Sequence, residues 1–103
     1  MVEISEETEL RREVLIAFQT ALLGMVTPNL RGVSVNWDNW RITGLFVYEG
    51  HISELEKEIM SEVEGEVISH FSRHTIDLLA RESDAIVNLE QFSLGVWVYR
   101  RSE

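Results

Sequence analysis

Cysteine is absent from the 103 residues. No disulfide framework and no thiolate-ligated metal can therefore be built from this chain. The absence fits a reducing compartment without requiring one, because a cysteine-free chain folds equally well outside the cell. Proline occurs once, at Pro28, and no repeat or low-complexity segment divides the sequence. Residues 1–103 read as one domain. No apolar run approaches the ~20 residues that span a bilayer. The start, Met1-Val2-Glu3-Ile4-Ser5, lacks the basic and apolar succession of a signal peptide. Basic residues are scarce, with 9 Lys and Arg against 18 Asp and Glu, giving a formal net charge of -9. A field of that sign repels nucleic acid and anionic membranes and attracts basic proteins.

What is present suffices for a core: 45% of the residues are hydrophobic. A first helix is predicted from Ser5 to Leu23, with Ser5 as N-cap and Glu6, Glu7 and Glu9 at the positive end of the helix dipole. Leu10, Val14, Ala17, Phe18, Ala21 and Leu22 form its apolar face, widened by Leu15 and Leu23, and Gly24 stops it. Residues 31–48 read as a β-hairpin. Val33, Val35 and Trp37 alternate with polar residues, Asp38-Asn39 makes the turn, and Trp40, Ile42, Phe46 and Tyr48 share one face of the second strand. Gly44 within that strand signals a bulge or a close backbone approach.

A second helix is predicted from Ser53 to His70 or Phe71. Ser53-x-x-Glu56 is its capping box, Ile52 is placed to staple its start, and Leu55, Ile59, Val63 and Val67 are its inward stripe. Residues 75–81 carry both strand and helix signals, and the alternation of Ile76, Leu78 and Ala80 favours strand. Residues 83–93 read as a loop, and residues 95–100 as a final β-branched and aromatic strand. The expected fold is α+β in the order α-β-β-α-β-β. Its four strands would form an antiparallel sheet with both helices packed on one face. The other face would present Ser34, Asn36, Arg41 and Thr43 to solvent.

Charge is most concentrated around the second helix. Glu49, Glu54, Glu56, Glu58, Glu62, Glu64 and Glu66 are offset by Lys57 alone. Like charges at i, i+4 repel by about 0.2–0.5 kcal/mol per pair, so a helix built for stability alone would interleave lysines. The plain reading is a solvated helix face rich in a good helix former. The functional reading is a surface complementary to a basic partner. Glu54 and Glu58 point away from the apolar stripe, and Glu62 lies at its border. Glu56 and Glu66 fall inside the apolar arc. Capping accounts for Glu56, whereas Glu66 calls for a buried arginine such as Arg81 or Arg100. Gly65 breaks the helix rule and suggests a bend or a close contact.

Other constellations carry less. Glu66, His70 and His74 stand at i, i+4, i+8 and would share a face for zinc if the helix continued through them, but Ser72-Arg73 ends it first. Ser69, His70 and Asp77 supply triad residue types without a nucleophile elbow, and neither a dinucleotide fingerprint nor a phosphate loop occurs. No cofactor is implied. Trp37, Trp40 and Trp97 are core aromatics by default, although Trp40 beside Asp38 at a hairpin tip would make an interface anchor. The partner-contact candidates are Glu54, Glu58, Glu62, Glu64, Asp38, Trp40 and Glu49.

The run from Ala21 through Trp37-Asp38, including Thr27-Pro28-Asn29-Leu30-Arg31-Gly32, resembles bacterial polymorphic-toxin immunity proteins. These include the immunity partners of contact-dependent growth inhibition toxins. The resemblance continues through Phe46-Val47-Tyr48-Glu49-Gly50 and Ser61–Ile68 and returns at Trp97–Arg101. It implies a cytoplasmic, non-enzymatic protein that binds one cognate toxin domain one-to-one, commonly a nuclease whose phosphate-holding site is basic. It carries over no binding residues. Two alternatives stand beside it. An acidic, nucleic-acid-mimicking regulator or adaptor would bind several basic proteins, and a small metal-dependent hydrolase would need His70 and His74.

Overall fold

In the computed structural model, which describes residues 5–103, the elements follow the expected order. Helix α1 spans Glu6–Ala21, strands β1 and β2 span Leu30–Trp37 and Arg41–Glu49, and helix α2 spans Glu54–Ile68. Strand β3 spans Thr75–Ser83, a short 3-10 turn spans Leu89–Phe92, and β4 spans Val96–Arg100. Both helix starts are set by their predicted caps. The Ser5 hydroxyl accepts the Thr8 N–H at 3.1 Å. Ser53 and Glu56 complete a reciprocal capping box, with Glu56 N–H to Ser53 Oγ at 3.1 Å and Ser53 N–H to Glu56 Oε1 at 3.0 Å.

The strands lie in the order β3-β2-β1-β4. β1 is antiparallel to β2 and to β4, but β2 and β3 run parallel, so the sheet is mixed and not antiparallel throughout. The reason is α2. It carries the chain back along the helix layer from the far end of β2, so β3 starts where β2 starts, beginning with Arg41 opposite Thr75. Residues 75–83 are strand, as the alternation favoured.

One sheet face packs on both helices. Val14, Ala17, Phe18 and Ala21 of α1 and Val63 and Val67 of α2 close over Val33, Val35, Ile42, Phe46 and Tyr48. Gly44 makes a close approach here: a Cβ at this position would lie 2.7 Å from Leu78 Cδ2 and 3.4 Å from Phe18. The bulge in the β1–β2 pairing lies elsewhere, between Leu30 and Gly32, and the β1–β4 pairing shifts register between Val33 and Ser34. Gly65 contacts nothing within 4 Å of an added Cβ, so no packing contact accounts for it. Leu23 and Leu55, assigned to apolar faces from periodicity, are 76% and 61% exposed.

The opposite sheet face is not the open surface expected. β3 and β4 are the two edges, so the chain between them must cross the sheet, and residues 84–95 do so. This strap buries Ser34, whose hydroxyl donates to the Phe92 carbonyl at 3.2 Å and accepts the Leu94 N–H at 3.2 Å. Leu89 and Trp97 sit on Gly32, where an added Cβ would meet Trp97 Cζ3 at 2.8 Å and the Tyr99 carbonyl oxygen at 3.1 Å. Asn36 and Arg41 remain exposed and Thr43 half-buried.

The bulge turns Arg31 into this second face, where it is 1% exposed. Its guanidinium makes five bonds. Nε and one terminal nitrogen grip the Glu103 carboxylate at 2.8 and 2.7 Å, and the rest reach Ser83 Oγ (3.2 Å) and the carbonyls of Asp84 (3.1 Å) and Val87 (2.8 Å). A buried guanidinium is tolerated because each donor is used and its charge is matched. Glu103 also accepts from Arg101 at 2.9 Å, and Arg101 bonds Glu49 at 2.7 Å and the Pro28 carbonyl at 2.8 Å. The network thus ties the strap, β1 and the last residues together. The Arg31 fork, opposed by burial and aided by Arg101, holds the Glu103 carboxyl down to about 2.

Candidate functional site

The surface with the least compensated charge is the outer side of α2. At about 100° per residue the buried centre of this helix falls on Glu56, Val63 and Val67, and Glu54 and Glu58 lie opposite it. Glu54, Glu58 and Glu62 are exposed. Lys57 contacts Glu54 at 3.1 Å, and among the described residues Glu58 and Glu62 have no salt-bridge partner. Glu64 is half-buried on the other flank, about 120° around the helix from Glu58. Leu55 sits beside Glu58 and Glu62, and its exposure places an apolar side chain at the edge of the acidic stripe.

Glu56 belongs to the framework of this surface. It is 3% exposed, and besides closing the capping box it accepts the Thr27 hydroxyl at 2.7 Å. Burial pushes its carboxyl up, but the bonds from Ser53 and Thr27 outweigh that and hold it below the usual carboxylate range. The same contact holds the α1–β1 connection, with exposed Leu23 and Val26, against the start of α2.

Glu66 is exposed, so the expected buried pairing with Arg81 or Arg100 does not occur. Arg81 lies over the Phe92 ring at 5.5 Å, and Arg100 lies over Trp97 at 5.1 Å and pairs with Glu90. The buried arginine is Arg31. Nothing in a period-2 reading of β1 marks it, because the bulge breaks the alternation at that residue.

The remaining candidates lie at the two ends of the sheet. Asp38 and Trp40 form the β1–β2 turn. Asp38 Oδ1 accepts the backbone N–H groups of Trp40 (2.7 Å) and Arg41 (2.8 Å), which holds its carboxyl below the usual range. Trp40 precedes β2 and is 68% exposed, so it does not share the core face of that strand as the alternation suggested. The turn is fastened to the connection after α2 by the His74 ring at 2.9 Å from the Asp38 carbonyl and by Thr75 N–H to the Trp40 carbonyl at 2.8 Å. Glu49 ends β2, roughly 27 Å away at ~3.3 Å per residue, and its carboxylate is engaged by Arg101. The structure therefore gathers Glu54, Glu58 and Glu62, with Leu55, on one helix face, and leaves Asp38 with Trp40 and Glu49 at opposite ends.

Two enzyme-like constellations come apart in the fold. α2 ends at Ile68, so Glu66, His70 and His74 do not share a continuous helix. Among the described residues no three His, Asp or Glu side chains converge as a metal set. His70, just past the end of α2, instead lines a groove of about 350 Å³ along α1, with Arg12, Glu13 and Ile16. No helix among the described residues is long and apolar enough to cross a membrane.

These features define an α+β domain whose most distinctive chemistry is an acidic helix face edged by an exposed apolar residue. The chain belongs to the MafI2 immunity protein family, whose model it matches over residues 11–103. Its role is accordingly immunity against a toxin, which implies binding a cognate toxin. No relative among curated proteins matches the chain.

Proposed function

We infer that this domain neutralises its toxin by binding alone, without catalysis or cofactor, in the cytoplasm. The partner is one basic toxin domain, a nuclease of the polymorphic, contact-delivered kind, held one-to-one against the outer face of α2. The observation that carries this reading is the exposed line of Glu54, Glu58 and Glu62, offset by Lys57 alone on that helix. The i, i+4 repulsion along it is a local cost that contact with a basic surface would relieve. Leu55 supplies apolar area of the kind that interface centres need, and the acidic residues form a rim beside it. Glu64 extends the charge on the half-buried flank.

A standard interface of ~800 Å² per partner is roughly 30 Å across. A toxin centred on α2 can therefore also reach Trp40 and Asp38 past its C-terminal end, or Glu49 before its N-terminal end. Trp40 is the stronger anchor, because Glu49 already shares its charge with Arg101. The test is a Glu54→Lys, Glu58→Lys, Glu62→Lys triple variant, measured for toxin association and for protection of a toxin-exposed cell. Slower association and lost protection support the reading; wild-type behaviour in both removes the α2 interface.

A further inference from the structure

Between its two ends, the outer edge of β3 is not used by the hydrogen bonding of the fold itself. β3 is nine residues long, pairs with β2 without a register break, and forms one border of the sheet. Among the described residues, no backbone group of residues 76–82 bonds to anything beyond the regular strand pairing. Of the devices that blunt such edges, proline, lysine and bulges are missing from Thr75-Ile76-Asp77-Leu78-Leu79-Ala80-Arg81-Glu82-Ser83, and the charges it carries, Asp77, Arg81 and Glu82, are of both signs. Leu79, on the face away from the helices, is 53% exposed, and Asp77, Ala80 and Arg81 are exposed.

We propose that this edge pairs with the β3 edge of a second copy of the chain, antiparallel and centred on Leu79, to give a two-fold dimer with a continuous eight-stranded sheet. A two-fold axis normal to the sheet keeps each face on its own side, so paired residues must share the same parity. Three such registers keep the strand overlap long. Centring on Leu78 sets Asp77 opposite Leu79 and Thr75 opposite Arg81. Centring on Ala80 sets Leu79 opposite Arg81 and Leu78 opposite Glu82. Centring on Leu79 sets Asp77 opposite Arg81 twice, Leu79 opposite Leu79, and Thr75 opposite Ser83 twice. Only this last register places opposite charges across the junction and an apolar pair on the axis.

Neither charge is tightly held within the chain. Asp77 meets Arg41 at 3.5 Å with both side chains more than half exposed, and Arg81 rests on Phe92 without an acidic partner among the described residues. The surface is separate from the outer face of α2, so the dimer does not depend on the toxin-binding reading.

The absence of cysteine makes the test direct. Directly opposed residues in an antiparallel pair have Cβ atoms ~4.5–5.5 Å apart, close enough for a small adjustment to allow a disulfide. A Leu79→Cys variant should form a covalent dimer on mild oxidation at least tenfold faster than Leu23→Cys, a control at another site that is more exposed than Leu79. In sedimentation velocity the wild type should move from monomer to dimer as its concentration rises to 1 mM (on the order of 10⁻³ M, the weak end of specific affinities). Asp77→Arg and Arg81→Asp should each abolish the dimer, and the double reversal should restore it. A wild type that stays monomeric throughout, Leu79→Cys cross-linking no faster than the control, or a double reversal that stays monomeric while folded would each overturn the proposal.

Discussion

Replacing Glu103 by glutamine tests the buried arginine network and gives a sign that ordinary surface electrostatics would not. In a chain of net charge -9, removing one negative charge should relieve repulsion and stabilise the fold. Glu103, however, lies between Arg31 and Arg101 at 2.7–2.9 Å. Its carboxyl is held at about 2 against an ordinary 4.5. At ~1.36 kcal/mol per pH unit that gap sets an upper limit of about 3 kcal/mol. The side chain is 29% exposed, so solvent screening lowers the expected contribution to about 1–2 kcal/mol.

Because the folded value is depressed, this stability is fully present above about pH 4.5–5 and is lost as the pH falls towards 2. Urea denaturation followed by tryptophan fluorescence, at steps from pH 7 to pH 2.5, measures it. Glu103→Gln should be less stable than wild type at pH 7, and the difference should shrink steadily below pH 4.5. A variant as stable as wild type at pH 7, or a difference that does not change with pH, would refute the role assigned to the network.

Four further substitutions follow from local geometry. Gly65→Ala should raise stability by about 1 kcal/mol, read from the urea midpoint, because the helical site is exposed and an added Cβ meets nothing. Glu56→Ala should cost about 1–3 kcal/mol through loss of the capping box and of the Thr27 bond, while Glu58→Ala should leave the midpoint nearly unchanged. Gly32→Ala should cost about 1–3 kcal/mol, because the new methyl group meets Trp97, Leu89 and the Tyr99 carbonyl in a closed space; an unchanged melting temperature would show that the strap over this face is loose.

Local chemistry was legible in the sequence where neighbours along the chain decide the structure. Ser5, the Ser53–Glu56 box, the β1–β2 hairpin and the strand at Ile76-Leu78-Ala80 are of this kind. What was not legible depends on crossings between distant segments. The parallel β2–β3 pair follows from the path of α2, and the burial of Ser34 follows from the strap between the two edge strands. Periodicity also overran the ends of elements. It carried the core face of β2 one residue too far, to Trp40. It counted Leu55 as core although that residue lies roughly 100° from the buried centre of α2. The exposure of Leu55 bears on the proposed interface, because it puts an apolar side chain next to Glu58 and Glu62.

The central claim is that the acidic face of α2 receives the toxin. The most direct measurement is the association rate with the cognate toxin domain across a salt series, for wild type and for the Glu54→Lys, Glu58→Lys, Glu62→Lys variant. Steering between opposite charges predicts a wild-type rate that falls steeply as salt rises, and a variant rate that is at least tenfold lower at low salt and nearly flat. Identical rates and identical salt slopes for the two proteins would contradict it.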